Sequence, residues 1–405
     1  MANNGMINNS AAALTGRRIG FVSTRFAGTD GVSLETGKWA TVLERLGHTC
    51  FYFAGESDRP AMRSRVVAEA FFGNEAIDAI SSAAFVRDRS IEKLSDGTHP
   101  DIYSIHAHAF ASHVRAPAVT RRIHELRDYL KQQIYSFVRD FDLQLLIVEN
   151  ALAIPMNIPL GLALTEFIAE TGLPTLAHHH DFYWERPRFL ANCVADYLST
   201  AFPPTLPSIR HVVISSIAAG EFSRRTGLSA MIIPNVMDFD EPPSAPRESA
   251  QQVRTDLGIA SDEKFFLQPT RVVQRKGIEH AIELTKRIGL KAKLVISNAS
   301  GDEGDDYEQR VQEYASLLAV PVNFESDLIR DQRGQTPDGR TIYSLWDVYP
   351  HADLVTYPSN IEGFGNAFLE AVYFRRPIVV NNYSIFKADI KPKGFRVIEF
   401  DGYIT

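Results

Sequence analysis

The stretch Ser359–Glu370, SNIEGFGNAFLE, sets two carboxylates and two glycines around a turn that runs into an apolar helical pattern. Gly363 and Gly365 let the backbone close on a ligand. The first amides of the following helix have no intrahelical partner and sit at its partially positive end, so phosphate is the natural guest. Glu362 and Glu370 are eight positions apart, about two helical turns, so one carboxylate can occupy the turn while the other faces the same space from the helix. Two further groups carry chemistry: Arg271 and Lys276, five positions apart in RVVQRKG, and the consecutive His178, His179, His180 and Asp181. A strand turns successive side chains to opposite faces, so at most two of the three histidines share a side. Adjacent histidines are also poor partners in one tetrahedral zinc site, and no metal is expected.

The elements that must position these groups alternate strand and helix. Leu354 to Tyr357 (LVTY) is a buried parallel strand feeding the turn, and Ala367 begins the helix after it. Phe265 to Thr270 forms the strand before Arg271, and Ile278 to Ile288 the helix after Gly277. Pro174 to Ala177 leads into the histidines, and Leu143 to Val148 into Glu149 and Asn150, at the strand edge where open α/β sheets bind ligands. The chain opens similarly. Arg18 to Thr24 is a strand, Arg25 to Ser33 a loop with Gly28, Asp30 and Gly31, Leu34 to Leu46 a helix, and His48 to Ala54 a strand. This unit lacks G-x-G-x-x-G, so no dinucleotide site is indicated, and Asp30 is equally suited to cap the helix. Further strands are expected at His211 to Ser216, Leu294 to Ser297 and Val320 to Phe324, and at Ile102 to Ile105 before His106 and His108. Helices are expected at Ala118 to Asp140, Asp305 to Leu318 and Thr341 to Tyr349, and the acidic run GDEGDD is expected to be a solvated loop.

A chain of 405 residues exceeds what one core supports, so two α/β domains are expected. The formal charge of −7 argues against general nucleic-acid binding, so any phosphate site is a local concentration of positive charge. Cys50 and Cys193 are too few for a disulfide framework and fit a reducing cytoplasm. The longest apolar candidate, Ile154 to Ala169, is broken by Pro155, Asn157, Pro159 and Glu166, so no integral membrane contact is expected. The Asn/Ala-rich segment at 1–16 is expected to be a disordered tail.

The string EGFGNAFLE resembles the E-x7-E signature of the retaining family 4 glycosyltransferases of the GT-B group. IIPNVMDFD is similar to that family's interdomain element, without its glycine, and places a boundary near Asn235. The resemblance implies an α/β GT-B architecture of two Rossmann-like, doubly wound parallel-sheet domains facing a cleft: an acceptor-side domain at 17–235 and a donor-nucleotide domain at 236–405. It implies that Arg271 and Lys276 hold the donor diphosphate and that Gly363, Phe364, Gly365 and Asn366 present the turn to phosphate and sugar. Glu362 would touch the transferred sugar and Glu370 the ribose hydroxyls, while the loop with Gly28 and Gly31 approaches the donor phosphates or the acceptor. His180 with Asp181 best matches the family's His-Asp pair beside the reacting sugar, with His178 and His179 as alternatives. Asp30, Glu149, Asn150, Asp181 and Trp184 are acceptor-side candidates.

The same resemblance implies a UDP-, GDP- or ADP-hexose as substrate, no metal or tightly bound cofactor, and acceptor attack on the face from which the diphosphate leaves. HHHDFYWERPRF and VENALAIPMNIP look like segments of compatible-solute enzymes of the mannosylglucosylglycerate or trehalose type, which implies a small soluble acceptor. The alternatives are a lipid or cell-surface glycan acceptor and a non-catalytic sugar-nucleotide-binding protein. Family members continue past the point matching Thr405, so the resemblance implies a shortened second domain.

Overall fold

The computed structural model describes residues 16–28, 30–85, 114–241, 243, 250–297, 306–330 and 332–402. Nearly all of the expected tail, the segment with His106 and His108, and most of the acidic loop lie outside the described residues. The chain divides into two compact units, one of Met1–Ile214 with Ala218–Ile233, the other of Ser215–Ile217 with Pro234–Thr405. Among the described residues no helix is long and apolar enough to cross a membrane.

We number the strands of the two large sheets. In the first unit these are β1 (Arg18–Val22), β2 (Thr49–Ala54), β3 (Ser64–Val66), β4 (Leu145–Glu149), β5 (Thr175–His179), β6 (Ile209–Val213) and β7 (Met231–Ile232). They lie in the order β3-β2-β1-β4-β5-β6-β7, every neighbouring pair parallel. Parallel strands buried on both faces must be apolar throughout, and FV, TCFYFA and LLIV supply that. The covering helices are amphipathic. The helix α2 (Pro117–Asp140), which follows α1 (Gly31–Arg45), buries Ile123, Leu126, Leu130, Ile134 and Phe137 at helical spacing. It packs with α3 (Ile158–Thr171) over Val22, Phe53, Leu146 and Val148.

The second unit contains β8 (Lys264–Gln268), β9 (Ala292–Ile296), β10 (Val322–Phe324), β11 (Leu354–Tyr357), β12 (Ile378–Asn381) and β13 (Ile398–Phe400). Their order is β10-β9-β8-β11-β12-β13, again wholly parallel. Helices α4 (Ile278–Arg287) and α5 (Asp306–Leu317) bury Ile278, Ile282, Tyr307 and Val311 against Phe266, Leu294 and Ile296. A short α6 (Asn366–Tyr373) follows β11.

The expected helix over Thr341 to Tyr349 is corrected. Thr341–Ser344 is a strand in a small sheet with Ile329–Arg330 and Gly334–Gln335, and the helix is only Leu345–Val348. A β-branched and aromatic run found strand partners that no local pattern reveals. Ser344 and Asp347 then form a capping box that starts the helix.

Successive strands build outward from β1 to β3, then the chain returns to lay β4 on the other side of β1; β8 and β11 repeat the arrangement. Each sheet therefore has a switch point, where diverging loops leave a crevice at the carboxyl ends of the strands. The chemistry-bearing residues of the sequence cluster at these two ends.

Candidate active site

In the second unit, the chain leaves β8 through Arg271 and a 3-10 turn, Gln274–Lys276, before Gly277 at φ +58° starts α4. A Cβ on Gly277 would stand 2.8 Å from the Pro358 carbonyl oxygen, so glycine is what lets this loop lie against the exit of β11. The Asn360 amide donates to the Arg275 carbonyl at 2.9 Å and joins the two loops. Lys276 Nζ consequently meets Glu362 Oε1 at 2.5 Å and lies 5.8 Å from the Tyr357 ring centroid. Arg275 Nη1 is 3.5 Å from Glu362 Oε2. Burial depresses the Lys276 ammonium, and Glu362 opposes that; burial raises the Glu362 carboxyl, and Lys276, Ser359 and Arg275 together bring it below its ordinary value. Arg271 also depresses Lys276, which places three cationic groups around one turn.

The rest of the turn is tightly held. The Tyr383 hydroxyl donates to the Phe364 carbonyl at 2.8 Å, and Gly365 has φ +125°. Asn366 Oδ1 accepts from Asn235 Nδ2 at 2.9 Å, and the Tyr349 hydroxyl donates to Glu370 at 2.8 Å. Gly363 is exposed beside them. Sequence reading found this cluster except Arg275, Tyr349, Tyr357 and Tyr383. The Arg275 signal was present in RVVQRKG, but the three tyrosines come from separate elements with no shared pattern. Concentrated cations beside a helix N-terminus can bind a diphosphate and stabilise it as it leaves.

In the first unit, Glu149 ends β4 opposite His178 of β5. His178 Nδ1 is 2.9 Å and His180 Nε2 3.1 Å from Glu149 Oε2; Glu149 and His178 are buried, and His180 is partly exposed. Burial raises the Glu149 carboxyl, but the two rings hold it down to about 2. Trp39 of α1 stacks on His178 at 4.5 Å. Asn150, at φ +59°, donates from Nδ2 to Asp181 Oδ1 at 2.8 Å and accepts the His180 amide at 3.0 Å. Asp181 also accepts from Arg186 Nε at 2.6 Å. Strand alternation sends His179 to the opposite face, where its Nε2 is 2.9 Å from His211 Nδ1 amid Phe182 and Phe222.

Burial holds the His179 imidazole well below its ordinary range and His211 at about 4. Both rings are neutral in the fold, whereas the unfolded chain takes up their protons as pH falls through about 6.5. Their contribution is therefore complete above that pH and declines towards pH 4, by up to about 1.4 kcal/mol per pH unit for each ring. Urea midpoints measured from pH 7.5 to 5 should fall, and His211→Asn should flatten the slope; a flat wild-type profile would contradict the neutral pair.

The remaining candidates make contacts within the first unit. Asp30 caps α1, accepting from the Val32 and Ser33 amides. The Gly28 amide donates to Asp58 at 3.1 Å, and Gly31 is the first residue of α1. Trp184 stacks on Phe182 at 4.4 Å and joins the aromatic layer around His179. Glu149, His178 and His180 place three ligand-type atoms within 4.8 Å, the one group among the described residues that could hold a metal. Both ring nitrogens, however, converge at hydrogen-bond distance on one carboxylate oxygen, and the other nitrogen of His178 is buried without a partner. A metal-bound histidine normally donates that nitrogen's proton to a neighbour, so the group is read as hydrogen-bonded and no metal is assigned.

No family model matches the chain. Two relatives named mannosylglucosylglycerate synthase, from Petrotoga mobilis and Thermotoga maritima, are each 30% identical to it over 94% of this chain, which spans 86% and 84% of theirs. Among solved structures, an Anabaena protein in complex with UDP-glucose matches with a TM-score of 0.55 and 12% identity, over 95% of this chain and 85% of that one. That likeness is one of fold.

Proposed function

The chain belongs to the family of the mannosylglucosylglycerate synthases, glycosyltransferases of GT-B fold, and on that premise we propose that it transfers a hexose with retention to a small glycerate-bearing glycoside. It is a nucleotide-sugar-dependent hexosyltransferase. The observation that carries the reading is the buried Lys276–Glu362 pair, flanked by Arg275 and Arg271, at the turn that opens α6. In the proposed reaction the acceptor hydroxyl attacks the anomeric carbon on the face from which the diphosphate departs, and a diphosphate oxygen receives the hydroxyl proton. Charge accumulates on the leaving group, and cations that bind it more tightly at departure than in the ground state accelerate transfer. Each charge-assisted hydrogen bond contributes about 1.5–3 kcal/mol, roughly 10- to 160-fold in rate. Glu362 serves the transferred sugar, Glu370 the ribose, and His180 with Asp181 the acceptor-side chemistry of the first unit.

The test is a matrix of UDP-, GDP- and ADP-hexoses against glycerate, glucosylglycerate and simple sugars, read by mass spectrometry, with proton NMR of the product's anomeric coupling. One donor should yield a glycoside of glucosylglycerate with the donor's own anomeric configuration. An inverted product would remove the retaining mechanism, and donor hydrolysis without transfer to any acceptor would remove the acceptor class.

A further inference from the structure

The cluster at the carboxyl end of β4 holds more order than an acceptor pocket wall requires. Glu149 Oε2 lies within hydrogen-bond distance of both His178 Nδ1 and His180 Nε2, and the Ser23 hydroxyl donates to the Glu149 carbonyl at 3.0 Å. Glu149 and His178 have no side-chain exposure, whereas His180 retains 9%. With its Nε2 committed to Glu149, His180 has Nδ1 left to meet a ligand. Asn150 fixes the other coordinate, since its Oδ1 holds the His180 amide while its Nδ2 holds Asp181.

We infer that Glu149 is a positioning residue for the transferase reaction: it locks His180 with Nε2–H turned inward and favours a second proton on Nδ1, presenting a cationic donor to the substrate. A carboxylate behind an imidazole selects its tautomer and stabilises its charged form. His178 is the second donor on the same oxygen and keeps the carboxylate ionised in a buried place. The groups facing His180 are Glu149 from β4, the His178 ring from β5 at 4.5 Å, Asp181, which is paired with Arg186, and Glu35 of α1, which is paired with Lys38 at 3.0 Å. Burial disfavours the imidazolium, but the Glu149 hydrogen bond and these carboxylates raise its proton affinity above the ordinary value.

The inference rests on the hexosyltransferase reading for its kinetic test and is independent of it for its spectroscopic one. Wild type, Glu149→Gln and Glu149→Asp should be compared by kcat/KM from pH 5.5 to 9, and by titration of the His180 ring nitrogens in 15N-histidine-labelled protein, assigned with His180→Gln. In wild type the protonated form persists to higher pH, so activity falls only on the alkaline side. Glu149→Gln should move that limb, and the His180 titration, down by at least about one pH unit, so activity falls tenfold or more at pH 8 and much less at pH 6. Glu149→Asp should retain the wild-type limb at reduced kcat. Parallel pH profiles with an unmoved His180 titration would overturn the inference. So would one equivalent of tightly bound zinc in wild type that is lost in Glu149→Gln. If no donor supports transfer, the ring titration still decides the Glu149–His180 coupling, and the function reading fails separately.

Discussion

Lys276→Ala is expected to lower kcat/KM by about 100-fold or more and to destabilise the second unit. The two effects have different origins. The rate loss follows from removing a cation that binds the departing diphosphate. The stability loss follows from the geometry: Lys276 is 8% exposed and its ammonium sits 2.5 Å from Glu362. Removing it strands a buried carboxylate with Arg275 at 3.5 Å as its remaining cationic contact among those described, at a cost of about 3–5 kcal/mol. Lys276→Met combined with Glu362→Gln eliminates both charges and fills the space, so stability should return to within about 1–2 kcal/mol of wild type while activity stays below a hundredth. Calorimetric melts and steady-state kinetics on the single and double variants separate the terms. A Lys276→Ala protein with more than about a tenth of wild-type turnover would remove the lysine from the diphosphate site.

From sequence alone this variant would be expected to lose activity and keep its fold, because a basic residue between a strand and a helix is ordinarily solvated. What the sequence cannot display is that Gly277 brings its loop against Pro358 and so buries the pair. The same limit recurs elsewhere. LVTY, KFFLQ and LLIVE were legible as buried strands because apolarity is a local property. The alternation of the three histidines was legible for the same reason. That Glu149 is the residue between His178 and His180 depends on the register of β4 against β5, with the helix and loops of residues 150–174 between them, and register is a property of the sheet. The helix expected across Thr341 to Tyr349 failed in the same way, since the deciding partners sit at Ile329–Arg330 and Gly334–Gln335. Residues were thus legible by type, while their pairings were not.

Gly365→Ala should reduce transfer by about 100-fold or more, and a second substitution can show why. The position carries two independent demands. Its φ of +125° lies where L-residues pay about 1–3 kcal/mol, and a Cβ built there would stand 2.2 Å from the Tyr383 hydroxyl, a clash worth about as much again. Tyr383→Phe removes that oxygen, and the next ring atom is at an ordinary 3.4 Å. It also deletes the hydroxyl's hydrogen bond to the Phe364 carbonyl, at about 0.5–1.5 kcal/mol. Gly365→Ala/Tyr383→Phe should therefore regain part of the lost stability, because the overlap is relieved. It should not regain activity, because the backbone strain remains and pulls the turn, with the first amides of α6, away from the shape that receives phosphate. Melting temperature and kcat/KM should consequently separate in the double variant. If turnover recovered along with stability, the clash alone would account for the defect, and the positive-φ backbone at Gly365 would have no part in binding the donor.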